Sequence, residues 1–206
     1  MTSPTDTMTI IRDFALATAS IATVFIALEG LHTWRRELRG KAHFEVARGL
    51  IYSTYDLRNK IESCRSRFIA AQEFPKDYYD VKGDPTPENQ AKGYAYVYRN
   101  RWQPILDSLK EFDAQSLEAE ALWGADIKSK TDNFRRCSTT LFVAIEAFIE
   151  NEQSGGRIFE SDKPFGIEMR KKVSAHGYDD DNMLSKKIVE TIGEIEDKIR
   201  PYLDRS

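Results

Sequence analysis

Side chains able to do chemistry are thinly spread in this chain. Of its three histidines, His32, His43 and His176, none stands three or four residues from another, and no Cys-x-x-Cys occurs. Zinc ligation needs such spacings to bring donors onto one face, so the pattern argues against a metal site. The run Asp179-Asp180-Asp181 lacks the EF-hand order and its closing Glu, and reads better as a helix N-cap with favourable dipole placement. There is no GxxxxGK[ST], GxGxxG or GxSxG, so phosphate-loop, dinucleotide and serine-hydrolase chemistry are disfavoured and no cofactor is expected. Glu146 is the lone charge in LFVAIEAFI. Burial there would raise its pKa, and the plainer reading gives it an Arg partner or a wet groove. One pair is left, Arg170 and His176 in RKKVSAH, with five residues between them.

That pair resembles the Arg-x4-6-His motif of HEPN ribonucleases, small helical bundles that dimerise to bring two such motifs together. The resemblance implies that His176 acts on the ribose 2′-hydroxyl or the leaving oxygen while Arg170 holds the phosphate. Here the residue after the Arg is Lys171, where the motif commonly has another polar side chain. Pro164, Gly166 and Gly177 surround the pair, and the alternative is an exposed Arg beside a loop His.

The elements that would carry these residues begin with a long apolar stretch. From Phe14 to Leu28 fifteen residues pass without a charge, and the window from Met8 to Trp34 adds Arg12, Asp13, Glu29 and His32 near its ends. A spanning helix needs roughly 20 mostly apolar residues, with long polar side chains tolerated where they can snorkel. A cleavable signal would carry basic residues before Arg12, and none is present. A buried helix of a soluble core competes with a single-pass anchor, and the flanking charges favour the anchor. Arg35, Arg36, Arg39 and Lys41 follow the segment, whereas Arg12 alone precedes it. By the positive-inside rule this places the C-terminal bulk in the cytoplasm and the N-terminus outside. The unpaired Cys64 and Cys137 suit that reducing compartment.

Charge is unevenly distributed. Residues 1–29 carry −2 and residues 30–67 carry +5, in a chain of 206 residues with formal charge −3. A basic collar next to an apolar segment, with an acidic domain beyond, suits anionic lipid headgroups. The overall charge and the lack of an aromatic stacking pattern among those cations disfavour nucleic acid. At 11% aromatic and 41% apolar residues the chain has the means to build a core, which excludes a disordered polypeptide.

Helical periodicity fills the remainder. Phe44, Ala47, Ile51, Leu57, Ile61, Cys64 and Phe68 step by three and four, so the anchor is expected to continue as one helix from about residue 9 to 71, about 90 Å at 1.5 Å per residue. Only Gly30 and Gly40 offer bends. After a loop punctuated by Pro75, Gly83 and Pro85, Thr86 and Pro87 read as N-cap and first position of a second helix. Its apolar side is expected to run through Tyr94, Tyr98, Trp102, Ile105, Leu109 and Phe112; Pro104 should kink or split it, and YAYVY, which alternates at period two, has a short strand as its alternative. SLEAEALW is expected as a separate short helix ending near Gly124, followed by a central helix through Leu141 and Ile145. A short helix after Lys163-Pro164 and a last one striped by Leu184, Ile188, Ile192, Ile195 and Ile199, ending at Pro201, complete an all-α reading. The expected division is a transmembrane anchor, residues 1–34, continuing into a long stalk helix packed with a cytoplasmic bundle, residues 35–206.

Within the anchor, Ala15, Ala19, Thr23 and Ala27 recur every four residues, a small-xxx-small stripe that lets helix backbones approach. The segments WRRELRGKAHFEVARGLIYSTYDLRNKI and FDAQSLEAEALWG resemble a set of small, uncharacterised bacterial membrane-anchored helical proteins. That resemblance implies one transmembrane helix and a helical cytoplasmic domain, and no catalytic residues. A looser similarity is to membrane effectors of antiviral defence systems that pair a membrane helix with a HEPN-like bundle and form pores. The expected role is therefore a homo-oligomeric effector or scaffold at the membrane, with lipid as its first partner. The alternatives are a membrane-tethered ribonuclease and an adaptor for a protein partner.

Overall fold

The computed structural model describes residues 4–78, 86–174 and 182–204, and within the first helix it describes side chains at 16, 18, 19 and from 22 onward. The chain is all-α. Its helices are α1 (Pro4–Cys64), α2 (Pro87–Trp123), α3 (Ala125–Gln153), α4 (Arg157–Ser161), α5 (Lys163–Val173) and α6 (Met183–Leu203), with one 3-10 turn at Ala71–Glu73. Two compact units divide it, Met1–Glu45 and Val46–Ser206.

The N-terminal unit is helical, and every side chain described in it from Leu16 to Arg39 is exposed. These include Leu16, Val24, Phe25, Ile26 and Leu28. A helix apolar on all sides has no face to offer water, so its stability in isolation comes from backbone hydrogen bonding and from Ala and Leu propensity. Thr23 satisfies its own hydroxyl by donating to the Ala19 carbonyl at 2.8 Å.

The C-terminal unit is built around α3, against which α2, α4, α5 and α6 all pack. From α1, Ala47, Leu50, Leu57, Ile61 and Cys64 enter the same core. Phe112 of α2 meets Phe134 of α3 edge to face at 5.4 Å between ring centroids. The expected stripe on α6 is buried throughout, each of its five residues exposing under 5% of its surface. At about 1.5–3 kcal/mol per large aliphatic side chain, that stripe alone docks the helix. Polar ties then fix its register: the Tyr55 hydroxyl donates to Glu196 at 2.7 Å, and Lys198 pairs with Asp126 at 2.7 Å.

Caps set the element boundaries. Thr86 accepts from the Asn89 amide with Pro87 in the first turn, as expected for α2. Gly155 and Gly156 take positive φ, 67° and 88°, turning the chain from α3 into α4, and the Gly156 amide donates to the Asn151 carbonyl. Asp162 caps α5 by accepting from the Phe165 amide. Gly166 is required by space: a Cβ there would lie 2.6 Å from Phe159 Cβ.

Several expectations are corrected. The first helix ends at Cys64 because Arg101 claims the carbonyls of Cys64, Ser66 and Phe68 while Arg65 turns into the core. Gly30 and Gly40 do not interrupt it. YAYVY is helical, and α2 runs unbroken through Pro104 and SLEAEALW, since burial of Val97, Ile105, Phe112 and Ala119 along one side outweighs the proline's missing hydrogen bond. Helix α6 passes Pro201 to Leu203, where Tyr202 stacks on Trp123 at 4.7 Å and holds the last turn. Asn182 caps α6 by accepting from the Ser185 amide; Asp179-Asp180-Asp181 lie outside the described residues. Glu146 is exposed, which leaves no buried carboxylate there. Among the described residues no helix is long and apolar enough to cross a membrane.

Candidate functional site

The deepest polar feature of the C-terminal unit is a buried arginine. Arg65 exposes 1% of its surface and, among the described residues, bonds to carbonyl, hydroxyl and amide oxygens with no carboxylate. Its Nε donates to the Lys172 carbonyl at 2.8 Å and its Nη2 to the Lys171 carbonyl at 3.3 Å, both in the last turn of α5. Nη1 donates to Ser185 Oγ at 3.0 Å and Nη2 also to Asn182 Oδ1 at 2.9 Å, at the start of α6. Asn182 Nδ2 donates back to the Lys171 carbonyl at 2.5 Å. Burial pulls the Arg65 pKa below the ordinary guanidinium value. The negative end of the α5 dipole and its orphan carbonyls compensate the charge. One side chain thus ties the end of α1 to the end of α5 and the start of α6.

A second arginine organises the turn that follows. Arg101 on α2 holds Glu73 through two bonds of 2.6 and 2.9 Å and reaches the carbonyls of Ser66 and Phe68, each at 2.7 Å. Glu73 in turn accepts from the Ala70 amide at 2.8 Å. The Arg101 hydrogen bond is the main cause holding the Glu73 carboxyl below the usual range.

These clamps frame an open cleft of about 480 Å³. Arg67 and Ile69 enter it from the turn, Tyr94 and Tyr98 from α2, and Phe148 from α3. Ile167, Arg170, Lys171 and Ser174 lie on one face of α5 at spacings of three and four, with Val173 beside them. The aromatic wall is continuous: Phe148 meets Tyr94 at 5.2 Å and Tyr98 at 6.0 Å, both edge to face. Arg170 lies over the Phe159 ring at 5.3 Å. Tyr98 is 94% buried, and burial raises its phenol pKa. No acidic side chain lines the cleft among the described residues, and neither Arg170 nor Lys171 has an ion pair there. Such a lining sets cations against an aromatic surface, and the described part of it supplies no general base.

The residues singled out from sequence separate into three groups. Arg170 lines the cleft in the last turn of α5, whereas His176 lies outside the described residues. Ala19, Thr23 and Ala27 are exposed in the N-terminal unit; the side chain of Ala15 lies outside the described set. Arg35, Arg36, Arg39 and Lys41 are exposed on α1. Arg65, Arg67, Lys171 and the tyrosines were missed as site residues. Only Arg65 left a signal, since it follows Leu57, Ile61 and Cys64 along an apolar stripe.

Both thiols are buried, and burial pushes the Cys64 pKa up to about 11, so neither is poised as a nucleophile. Among the described residues no group of three or more His, Cys, Asp or Glu side chains could hold a metal ion. No family model, curated protein or solved structure matches the chain.

Proposed function

We propose that this chain is a membrane-anchored helical protein whose N-terminal helix lies in the bilayer and whose C-terminal bundle acts as a cytoplasmic scaffold or effector, working through self-association. The observation that carries the reading is the exposure of Leu16, Val24, Phe25, Ile26, Leu28 and Leu31 around one helix. Apolar surface on every side of a helix cannot be covered by a single docking face, and a bilayer covers all of it at once. Thr23, one of the polar side chains described within that stretch, already bonds to its own helix, as suits a hydrocarbon environment. Exposed Trp34 and the exposed cations from Arg35 to Lys41 then fall where an interface with anionic headgroups would lie. Ala19, Thr23 and Ala27 leave one side of the helix low enough for a second copy to approach. A pore in defence against viruses is one form such an effector would take.

The test is alkaline carbonate extraction of membranes carrying the full chain, beside a form lacking residues 1–33. The full chain should stay in the pellet and the shortened form should be released. Crosslinking of the full chain in membranes should give a ladder that collapses when Ala19 and Ala27 are both replaced by Leu. Release of both forms by carbonate would remove the anchor, and with it the scaffold reading.

A further inference from the structure

We propose that the outer face of α3 is a two-fold contact between copies of this chain, in which α3 packs antiparallel against α3 of a second copy with Val143 on the symmetry axis. The contact lies wholly within the C-terminal unit. It therefore does not rest on the anchor, and it goes beyond the self-association proposed for the N-terminal helix.

The face is defined by what α3 leaves uncovered. Ile127, Phe134, Leu141 and Ile145 enter the core from one side of the helix. Arg136, Thr139, Val143, Glu146 and Glu150 follow one another at steps of three and four on another side, and all are exposed. Val143 is 54% exposed at the middle of that side, and Phe142 beside it is 39% exposed. Phe142 meets Trp102 of α2 at 5.1 Å between ring centroids. Leu106, also exposed, lies one turn along α2 from Trp102. An apolar centre is thus bounded along the helix by charge, the arrangement of a protein contact with a dry core and a polar rim.

Charge selects a second copy as the occupant. Arg136 stands seven residues before Val143 and Glu150 seven residues after it. That is two turns, about 10 Å along the helix, in each direction. Neither has an ion pair among the described residues, whereas the neighbouring Arg135 holds Asp113 at 2.9 Å. Turning a second α3 end over end about Val143 sets Arg136 of each copy against Glu150 of the other. Two opposite-charge pairs then close around one apolar centre, as a self-complementary two-fold contact requires. A parallel pair would instead set Arg136 against Arg136 and Glu150 against Glu150. Register follows from the same charges. An antiparallel pair centred on Leu141 would join Arg136 to Glu146, but it would also bring Asp132 against Glu150. With Val143 at the centre, Asp132 falls opposite Ser154 and no like charges meet along the seam.

The test is sedimentation equilibrium of the full chain in detergent micelles at low salt, up to the hundred-micromolar range. It is run on wild type and on the Ala19→Leu, Ala27→Leu form, which removes association through the anchor stripe. The anchor variant should still show a monomer–dimer equilibrium. In that background Arg136→Glu and Glu150→Arg should each weaken the dimer about tenfold, because each turns two attractions into two repulsions. The double reversal Arg136→Glu, Glu150→Arg should return the affinity to within about threefold of its parent, a recovery that a misfolded variant does not give. As a second readout, Val143→Cys should be joined into a covalent dimer by a short bismaleimide, and the exposed position Leu117→Cys should not. A monomeric anchor variant beside an associated wild type overturns this proposal and leaves the anchor contact standing. Single reversals that match their parent, or a double reversal no tighter than the singles, also overturn it.

Discussion

Phe25 and Phe134 are the same residue on two helices of one chain, and they live under opposite constraints. Phe25 is 65% exposed, as are Ile26 and Leu28 at 69% and 60%, whereas Phe134 is wholly buried against Phe112. The C-terminal unit shows what its sequence does with apolar residues when it can: α6 sets Leu184, Ile188, Ile192, Ile195 and Ile199 on one stripe and covers it completely, leaving Met183 and Val189 outside it. From Leu16 to Leu38, α1 arranges them on several sides and covers none of those described. The contrast teaches that apolar content alone decides little. Periodicity decides whether a helix can be satisfied by its own chain or needs an apolar medium around it.

Substitutions of Phe make the sharpest break. Phe134→Ala should lower the unfolding free energy of the bundle by about 3–5 kcal/mol, through lost transfer energy and a residual cavity. Phe25→Ala should leave the thermal midpoint of the bundle where it was. Parallel denaturation curves of the two variants measure the difference, and equal losses would mean that the N-terminal helix packs into the same core.

Arg65→Met comes next, at about 2–4 kcal/mol, because it leaves buried carbonyls and Asn182 without their donor. Arg36→Met, an exposed arginine in the N-terminal unit, should cost the bundle nothing measurable. Chemical denaturation of both variants checks the pair. Gly166→Ala should destabilise by about 1–3 kcal/mol by forcing α5 off Phe159. Gly30→Ala, which meets no atom within 4 Å, should be neutral or slightly stabilising, read from helix content.

The smallest effect is electrostatic. Arg101 depresses the Glu73 pKa, so the pair stabilises the bundle above the ordinary carboxylate value and loses that contribution as pH falls through the folded pKa. Glu73→Gln should cost about 1 kcal/mol at neutral pH, modest because Glu73 is partly exposed, and the difference from wild type should vanish in acid. Thermal midpoints across an acid series show whether the two curves converge.

Local features were legible in the sequence. The Thr86-Pro87 start of α2, the five-residue stripe of α6 and the central place of α3 all rest on spacing or capping within a few residues. Pro104 and SLEAEALW misled because local punctuation was overridden by burial of Ile105, Phe112 and Ala119 along a continuous face. Arg65 was counted with the basic collar that follows the apolar segment, although its partners at Lys171, Lys172, Asn182 and Ser185 take it into the core. Nothing in one sequence announces contacts more than a hundred residues apart. The cleft was hidden for the same reason: its cations and its aromatic wall come from four separate stretches, and RKKVSAH drew notice for the pairing of Arg170 with His176, whereas Arg170 and Lys171 are the cations of that run that line the cleft.

On the proposed membrane reading, the first part of α1 is surrounded by lipid while the bundle is surrounded by water. Single cysteines introduced as Ile26→Cys and Leu117→Cys test it directly, because both positions are exposed on the protein and the native thiols are buried with raised pKa values. Inverted inner-membrane vesicles from a bacterial host are treated with a membrane-impermeant maleimide. Rapid labelling at 117 with none at 26, until the bilayer is dissolved in denaturing detergent, is the result expected of a lipid-embedded anchor with a cytoplasmic bundle. Equal labelling of the two positions in intact vesicles would contradict it.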